Sequence, residues 1–402
     1  MNKPEPLSKT EPFCPHQLRA DVMHYAAMGD HRTGSDVDNA TAQWIRDRLE
    51  QAGFHARLDP WPLRLFHLHE AWIEVCGRRL DAFPLWHPKP IGPEPFSAPL
   101  SLIAKPGHMT LMQFDDVMVT PKSDHAAKIE AAAKAGATAI IACTPHSSGE
   151  VYGQNVIPPF NQTPWPIPVL MTAPRDWHVL ADAATHSDIV TACLAGEVVE
   201  DAEAQNVVAT VERGPRWIVI STPQSGWFRC AGERGAGVAL LMALAEWAAG
   251  ADLPYSFLFL SNSGHEIGHM GIHHLMEQDT LPDPEHTACW LHLGASIGTR
   301  AFVPDQDALL RPNGPNGDGW LFSSADLTET LCQSFADVKF LQPQVYNRKN
   351  GEIRWILEKG YPAFSLMGPQ KFFHLVSDGP ENVDEALLVE IAGAVVRVLN
   401  AV

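Results

Sequence analysis

The sequence predicts an α/β fold with a mixed, mostly parallel sheet flanked by helices. From residue 205 onward, short runs of β-branched and aromatic residues alternate with amphipathic helical segments, the pattern of a sheet covered on both faces. Of the 402 residues, 45% are apolar, which is enough for a full globular core. A separate β-α-β pattern lies between two Pro-rich stretches and indicates a second, smaller α/β unit.

The N-terminal hundred residues are predicted to hold two helices and an extended stretch. The first helix covers residues 16–28, and the second follows the turn RTGSD and ends at Gly53, since glycine commonly terminates helices. Residues 55–85 have strand character, with a turn expected at Trp61-Pro62.

The second unit is predicted at residues 99–204. An Ala-rich helix, SDHAAKIEAAAKAGA, precedes the buried strand TAIIACT, and the short strand IPVLMT follows. The chain is therefore predicted to form a discontinuous larger domain, 1–98 and 205–402, with 99–204 as an insert.

Polar clusters follow several predicted strands of the larger domain. They are TPQSGWFRCAGERGAG, NSGHEIGH, LHLGAS and FFHLVSDGPENVD. Loops beyond the carboxyl ends of parallel strands lie together. We therefore expect these clusters to build one site.

Composition excludes several classes of partner. Lys and Arg total 29 and Asp and Glu total 47, giving a net charge of −18, which repels nucleic acid. No apolar run approaches the ~20 residues that span a bilayer, and the start of the chain has no apolar signal-peptide segment. The seven cysteines include no CxxC, which indicates reduced thiols and a cytoplasmic protein.

The pentapeptide HEIGH, which runs from His265 to His269, matches the HExxH signature of zinc metalloproteases. That signature requires both histidines on one helix. Here Ser263-Gly264 directly follows a buried strand, and Gly268 weakens a helix. The sequence therefore favours a loop over a metalloprotease helix.

Taken in order, these segments resemble metallopeptidase family 28, the di-zinc aminopeptidases and their relatives, over nearly the whole chain. HRTGSDVDNATAQWIRDRLEQAGF is similar to the family's N-terminal segment, and AAKIEAAAKAGATAIIACT with IPVLMT is similar to an inserted protease-associated domain. The resemblance implies a zinc exopeptidase-like fold for the larger domain and a protease-associated-like insert.

The family holds two zinc ions through HxD, an Asp in D-N-x-x-G, a Glu-Glu pair, a later Asp and a final His. In this chain the corresponding positions are TPQS at 222–225, Glu233, His265-Glu266, His292 and His374. The first histidine is missing, so the resemblance implies that one metal site is lost.

The resemblance also implies a remaining site for one zinc, or another divalent metal, held by Glu233, Glu266 and His374. Two carboxylates, one imidazole and a water form an ordinary catalytic zinc set. His292 would be a fourth ligand or an oxyanion-stabilising donor.

His265 stands at the position of the family's general base. Imidazole has a reference pKa of about 6.5 and can serve as a base near neutral pH; alternatively it only orients the loop. Ser225 and Cys230 are candidate nucleophiles, although no triad is recognisable around them. Arg234 either binds a substrate carboxylate or pairs with acidic neighbours.

The sequence thus predicts a metal-dependent, aminopeptidase-like hydrolase that activates water to cleave an amide or peptide bond. Its partners would be a small-molecule or peptide substrate and, if it dimerises as some relatives do, a second copy of itself. Two alternatives stay open. One is a non-catalytic binding protein on a degenerate peptidase scaffold, and the other is a single-zinc acyl-transfer or cyclase enzyme.

Overall fold

The computed structural model describes residues 13–92, 94–115, 118–120, 122–161, 164–278, 280–304, 310–339, 343–345 and 350–402. The α-helices are α1 (Pro15–Met28), α2 (Asp36–Gln51), α3 (His125–Lys134), α4 (Trp177–His186), α5 (Ala236–Gly250), α6 (Met270–Glu277), α7 (Thr328–Ser334), α8 (Ile353–Glu358) and α9 (Glu385–Ala401).

The strands alternate with these helices over most of the chain. They are β1 (His55–Val75), β2 (Arg78–Pro84), β3 (Phe96–Ser101), β4 (Met109–Gln113), β5 (Met118–Val119), β6 (Ala139–Cys143), β7 (Asn155–Val156), β8 (Val169–Thr172), β9 (Ile189–Val211), β10 (Arg216–Pro223), β11 (Tyr255–Asn262), β12 (Thr287–Leu293), β13 (Arg300–Pro304), β14 (Leu310–Pro315), β15 (Trp320–Ser323), β16 (Gln344–Val345) and β17 (Ala363–Met367).

Thirteen of these strands form one mixed sheet in the order β1-β2-β8-β6-β4-β3-β9-β11-β10-β12-β17-β15-β16. The strands β11, β10, β12 and β17 are parallel neighbours, while β9 and β15 flank them antiparallel. The predicted fold class, a mixed and mostly parallel sheet flanked by helices, is confirmed.

Both faces of the parallel strands are buried, which explains their unbroken apolar runs. Ile218 and Ile220 of β10 point into a core that contains residues of α1, α2, α5 and α9. Val219 points to the opposite face, where Ile272 of α6 and Ile356 of α8 cover the sheet. The sheet is therefore the middle layer of three.

Seven strands from β1 to β9 form a closed ring: β1, β2, β8, β6, β4, β3 and β9. The C-terminal end of β1 pairs with β2 and also with the start of β9. The ring continues from β9 through β3, β4, β6 and β8 back to β2. The predicted boundary at 98/99 falls inside β3, and that at 204/205 falls inside β9. Continuous strands thus cross both positions, and the division into two domains stays a prediction.

The chain does not turn at Trp61-Pro62. β1 runs through both residues and pairs antiparallel with β9, with a bulge between Leu63 and Leu65. Pro60 and Pro62 are two residues apart, so their missing N–H groups lie on the same edge of the strand. Proline is accepted where that edge is unpaired.

Among the described residues, no helix combines the length and the apolar character needed to cross a bilayer.

Candidate active site

The predicted polar clusters meet at one edge of the sheet, beyond the carboxyl ends of β10, β11, β12 and β17. Four non-glycine residues in these loops have positive φ angles: Cys230, His269, Ser296 and His374. Such backbone strain tends to gather at functional sites. The backbone conformation therefore indicates a functional site at this edge, independently of the side-chain chemistry.

The loop after β10 enters α5 through a single π-helical turn, Ala231–Gly235. The carboxylate of Asp378 anchors this turn by accepting the backbone N–H groups of Gly232 at 3.0 Å and Glu233 at 2.9 Å. Burial raises the pKa of Asp378 to about 6. The anchor fixes the direction in which Glu233 and its neighbour Arg234 leave the backbone.

Arg234 lies between two carboxylates in the interior. Its Nη2 is 2.8 Å from Oε1 of Glu233 and 3.1 Å from Oε1 of Glu266. Its Nε donates to the backbone carbonyl of Ser225 at 3.1 Å. Glu233, Arg234 and Glu266 are each 1% exposed, so this ion pair is removed from water.

The two carboxylates differ in their electrostatic environment. Burial favours a high pKa for Glu233, but the nearby Arg234 and His374 outweigh it, and the pKa falls to about 2. For Glu266 burial outweighs the attraction of Arg234, and the pKa is raised. Glu233 is therefore the firmly ionised partner of the guanidinium.

His374 faces Glu233 from the loop after β17. Its Nδ1 lies 2.7 Å from the carbonyl oxygen of Gly153, which requires that Nδ1 carry the hydrogen. Nε2 lies 3.3 Å from Oε1 of Glu233 but has no hydrogen-bond partner in the described chain.

Ser225 is occupied by structural hydrogen bonds. Its Oγ donates to Oε2 of Glu266 at 2.7 Å and accepts the backbone N–H groups of Gly264 and His265 at 3.0 and 3.3 Å. The nearby Cys230 is buried, and burial raises the pKa of its thiol well above the ordinary value. Neither side chain is arranged as an activated nucleophile, and the catalytic role of Ser225 stays a prediction.

His265 is held by a carboxylate that the sequence analysis did not identify. Its Nδ1 is 2.8 Å from Oε1 of Glu352. Glu352 also accepts from the side-chain Nδ2 of Asn262, at 3.0 Å through Oε1 and at 3.1 Å through Oε2. Because a carboxylate only accepts, Nδ1 of His265 carries the hydrogen and Nε2 keeps its lone pair. Burial and, after it, Arg234 lower the pKa of His265 well below the usual value.

His292 lies on the other side of Glu352. Its Nδ1 is 3.0 Å from Oγ of Ser221, which accepts the indole N–H of Trp290 at 2.8 Å. Its Nε2 is 3.9 Å from Oε2 of Glu352. Burial lowers the pKa of His292 to about 4, so the ring is neutral at pH 7.

HEIGH is not helical: the five residues form turns, and α6 begins only at Met270. The backbone of His269 is left-handed, with φ of 62°, and its Nδ1 accepts the indole N–H of Trp355 at 2.9 Å. The expected loop conformation of this segment is therefore what the structure shows.

Residues 151–161, in the connection between β6 and β8, lie over the site; their strand β7 pairs with β5 in a separate two-stranded sheet. The backbone N–H of Val156 donates to the carbonyl of Glu266 at 2.9 Å, and that of Gly153 donates to the carbonyl of His374 at 3.0 Å. Asn155 accepts the indole N–H of Trp227 at 2.9 Å. The covering segment therefore hydrogen-bonds to three of the four loops that build the site, those after β10, β11 and β17.

The three predicted metal ligands do not fit a zinc ion in this arrangement. Among the described residues, the sets of three ligand atoms within 4.8 Å of one another are two exposed ones, His67 with His69 and Glu197, and Asp283 with Glu285 and His286. Glu233, Glu266 and His374 do not form such a set. The cation between the two carboxylates is the guanidinium of Arg234.

The structure thus brings the candidate nucleophile Cys230 and the seven other residues singled out from the sequence into one region; the seven are Ser225, Glu233, Arg234, His265, Glu266, His292 and His374. Their roles stay predictions. Sequence reasoning missed Glu352, which stands at the start of α8, and the anchoring role of Asp378. The only signal for Glu352 was an acidic residue directly before an apolar helix.

No protein-family model matches the sequence, and a comparison with curated proteins finds no relative. Solved structures are similar in fold. A zinc aminopeptidase from Bacillus subtilis superposes with a TM-score of 0.74 at 15% identity, covering 98% of this chain and 96% of that one. An aminopeptidase from an Aneurinibacillus strain gives 0.67 at 15% identity, with 96% and 93% covered.

A glutaminyl cyclase from Porphyromonas gingivalis has a lower TM-score of 0.51 at 10% identity, with 97% and 99% covered. Identities this low show the fold alone. The chain therefore has a zinc exopeptidase-like fold, and beyond the carboxyl ends of its parallel strands it carries a cluster of carboxylates, histidines and one buried arginine.

Proposed function

We propose that the chain is a hydrolase of amide or peptide bonds in which His265 activates the attacking water. The observation that carries this proposal is the pair of His265 and Glu352, 2.8 Å apart, on the scaffold of an aminopeptidase. A carboxylate that holds Nδ1–H fixes the ring and leaves Nε2 as the base.

The electrostatics keep His265 in the neutral form that a base needs at pH 7, because burial and, after it, Arg234 lower its pKa. A lowered pKa also makes the ring a weaker base. The proposed role therefore rests on the contact with the Glu352 carboxylate, which stabilises the imidazolium formed when Nε2 takes a proton. The side chain of His265 is 12% exposed, against 1% for Arg234 and 2% for Glu266. The base is thus the part of the cluster nearest to solvent.

The proposed reaction is a hydrolysis in which water is the only co-reactant. Nε2 of His265 takes a proton from water as the oxygen attacks the carbonyl carbon. The C–N bond then breaks, and the proton passes to the leaving nitrogen. Nη1 of Arg234 has no hydrogen-bond partner among the described residues, so it is a donor left over for the developing oxyanion.

The test is a library of aminoacyl and N-acyl amides, with released amines identified by mass spectrometry. Wild-type protein should cleave members of the library, and His265→Gln should reduce the rate at least ~100-fold. His286→Gln, in an exposed histidine before β12, is the matched control and should be as active as wild type. A His265→Gln variant with unchanged turnover would exclude the proposed base.

The covered site favours a second candidate, a ligand-binding protein on the same scaffold. Glu233, Arg234 and Glu266 are buried, and segment 151–161 hydrogen-bonds to the loops that carry Glu266 and His374, so a hydrolase must open the site to admit a substrate. Library members that bind and protect the protein against heat but are never cleaved would support this candidate.

A further inference from the structure

The buried Arg234 stands where the scaffold's metal chemistry would require a cation. Two carboxylates in the interior repel each other and need a compensating positive charge. Here the charge is supplied by the chain itself, since Nη2 of Arg234 contacts Oε1 of both Glu233 and Glu266. An arginine cannot lose its proton inside a protein, so this compensation is permanent.

The surrounding chain also fixes the position of the Arg234 side chain. The π-helical turn that carries Arg234 is fixed by Asp378, and Nε is bonded to the carbonyl of Ser225. A zinc ion binds carboxylate oxygen at about 2.0–2.2 Å. The guanidinium nitrogen at 2.8 and 3.1 Å from the two oxygens takes the space between them that such an ion would need.

His374 keeps the features of a metal ligand beside this guanidinium. Its Nδ1–H is held by the carbonyl of Gly153, the arrangement by which a protein orients a ligating imidazole. Its Nε2 is unpartnered and faces Glu233 at 3.3 Å. Removing the guanidinium would therefore leave two carboxylates and one oriented imidazole around an empty, negatively charged space.

We propose that Arg234 replaces a metal ion as the cation that holds Glu233 and Glu266 together. The folded chain then needs no zinc at this position. Glu233, Glu266 and His374 lack the spacing of a zinc site in the wild-type arrangement, so zinc binding after deletion of the guanidinium requires these side chains to close on the vacated space.

The experiment measures zinc per chain by elemental analysis and the melting temperature in EDTA and in excess zinc. Wild type should hold well under one zinc per chain, with a melting temperature that neither condition changes. Arg234→Ala should melt lower in EDTA, melt higher with zinc, and take up about one zinc per chain. Adding His374→Ala should abolish that uptake.

Arg79→Ala is the matched control, because Arg79 pairs with one exposed carboxylate; it should behave like wild type. If Arg234→Ala does not fold, Arg234→Lys keeps the positive charge and should fold without zinc. One zinc per wild-type chain, lost with His374→Ala, would overturn the proposal. So would an Arg234→Ala variant that folds but takes up no zinc, because the guanidinium would then be a structural partner only. These readouts do not depend on hydrolysis, so they separate this inference from the proposed function.

Discussion

Replacement of Arg234 by Met tests how much the internal cation contributes to folding. Methionine fills a similar volume without charge, so the variant leaves Glu233 and Glu266 buried and uncompensated. In wild type burial would raise the pKa of Glu233, but Arg234 and His374 lower it from 4.5 to about 2, which corresponds to roughly 3 kcal/mol at neutral pH. Removal of one partner from other buried ion pairs costs about 3–5 kcal/mol.

The dependence on pH follows from the sign of the shift. A carboxylate whose folded pKa is depressed stabilises the fold above its unfolded pKa. In wild type the contribution of Glu233 is therefore lost as the pH falls from about 4.5 towards 2. In Arg234→Met, burial acts without the guanidinium and raises the folded pKa above 4.5, so that variant loses stability as the pH rises. The difference between the two proteins should be largest at neutral pH and smallest in acid.

The assay is urea unfolding in EDTA, followed by circular dichroism at several pH values. The matched control is the triple variant Glu233→Gln, Arg234→Met and Glu266→Gln, which removes all three charges and should recover most of the loss. If Arg234→Met is within about 1 kcal/mol of wild type at pH 7, the buried carboxylates do not need the guanidinium and this prediction is wrong.

Three further predictions concern the surroundings of this cluster. Glu352→Gln should lower hydrolysis at least ~10-fold without unfolding the protein, because the amide no longer fixes the hydrogen on Nδ1 of His265; steady-state rates beside melting curves decide this. Gly153→Ala should loosen the covering segment, because a Cβ there would lie 2.8 Å from the indole of Trp227, and limited proteolysis should cut residues 151–161 faster than in wild type. Iodoacetamide should leave Cys230 unmodified in the native protein and alkylate it after denaturation, because burial keeps the thiol protonated; rapid native alkylation would contradict this.

The location of the site could be predicted from the sequence, because it depends on the order of elements alone. Strands such as β10 and β12 are recognisable as unbroken apolar runs, since both faces of the parallel sheet are covered. Chemistry-bearing residues that directly follow parallel strands must then meet at one edge. Glu266 and His374, 108 positions apart by their numbering, both lie there.

The partners of these residues could not be predicted, because they depend on side-chain direction and on long-range packing. Arg234 directly follows Glu233, and the sequence allowed either a substrate or an acidic neighbour as its partner. The π-helical turn, which no propensity predicts, directs it to Glu266. Glu352 is 87 positions after His265 and contacts it only because the chain before α8 passes the end of β11, where Asn262 also donates to Glu352.

The balance of charge connects the substitutions at this site. On the correspondence that the resemblance implies, TPQS at 222–225 takes the place of HxD, His265 that of the Glu base and His292 that of the later Asp. These expected changes remove negative charge, and Arg234 adds a positive charge beside Glu233. Glu352 returns one negative charge, which His265 and Asn262 hydrogen-bond. Unpaired buried carboxylates are costly, and the guanidinium of Arg234 lowers that cost for Glu233 and Glu266. The coordinated changes therefore favour a cluster that keeps its shape without metal, and a polar centre of this kind is what a metal-free base at His265 would require.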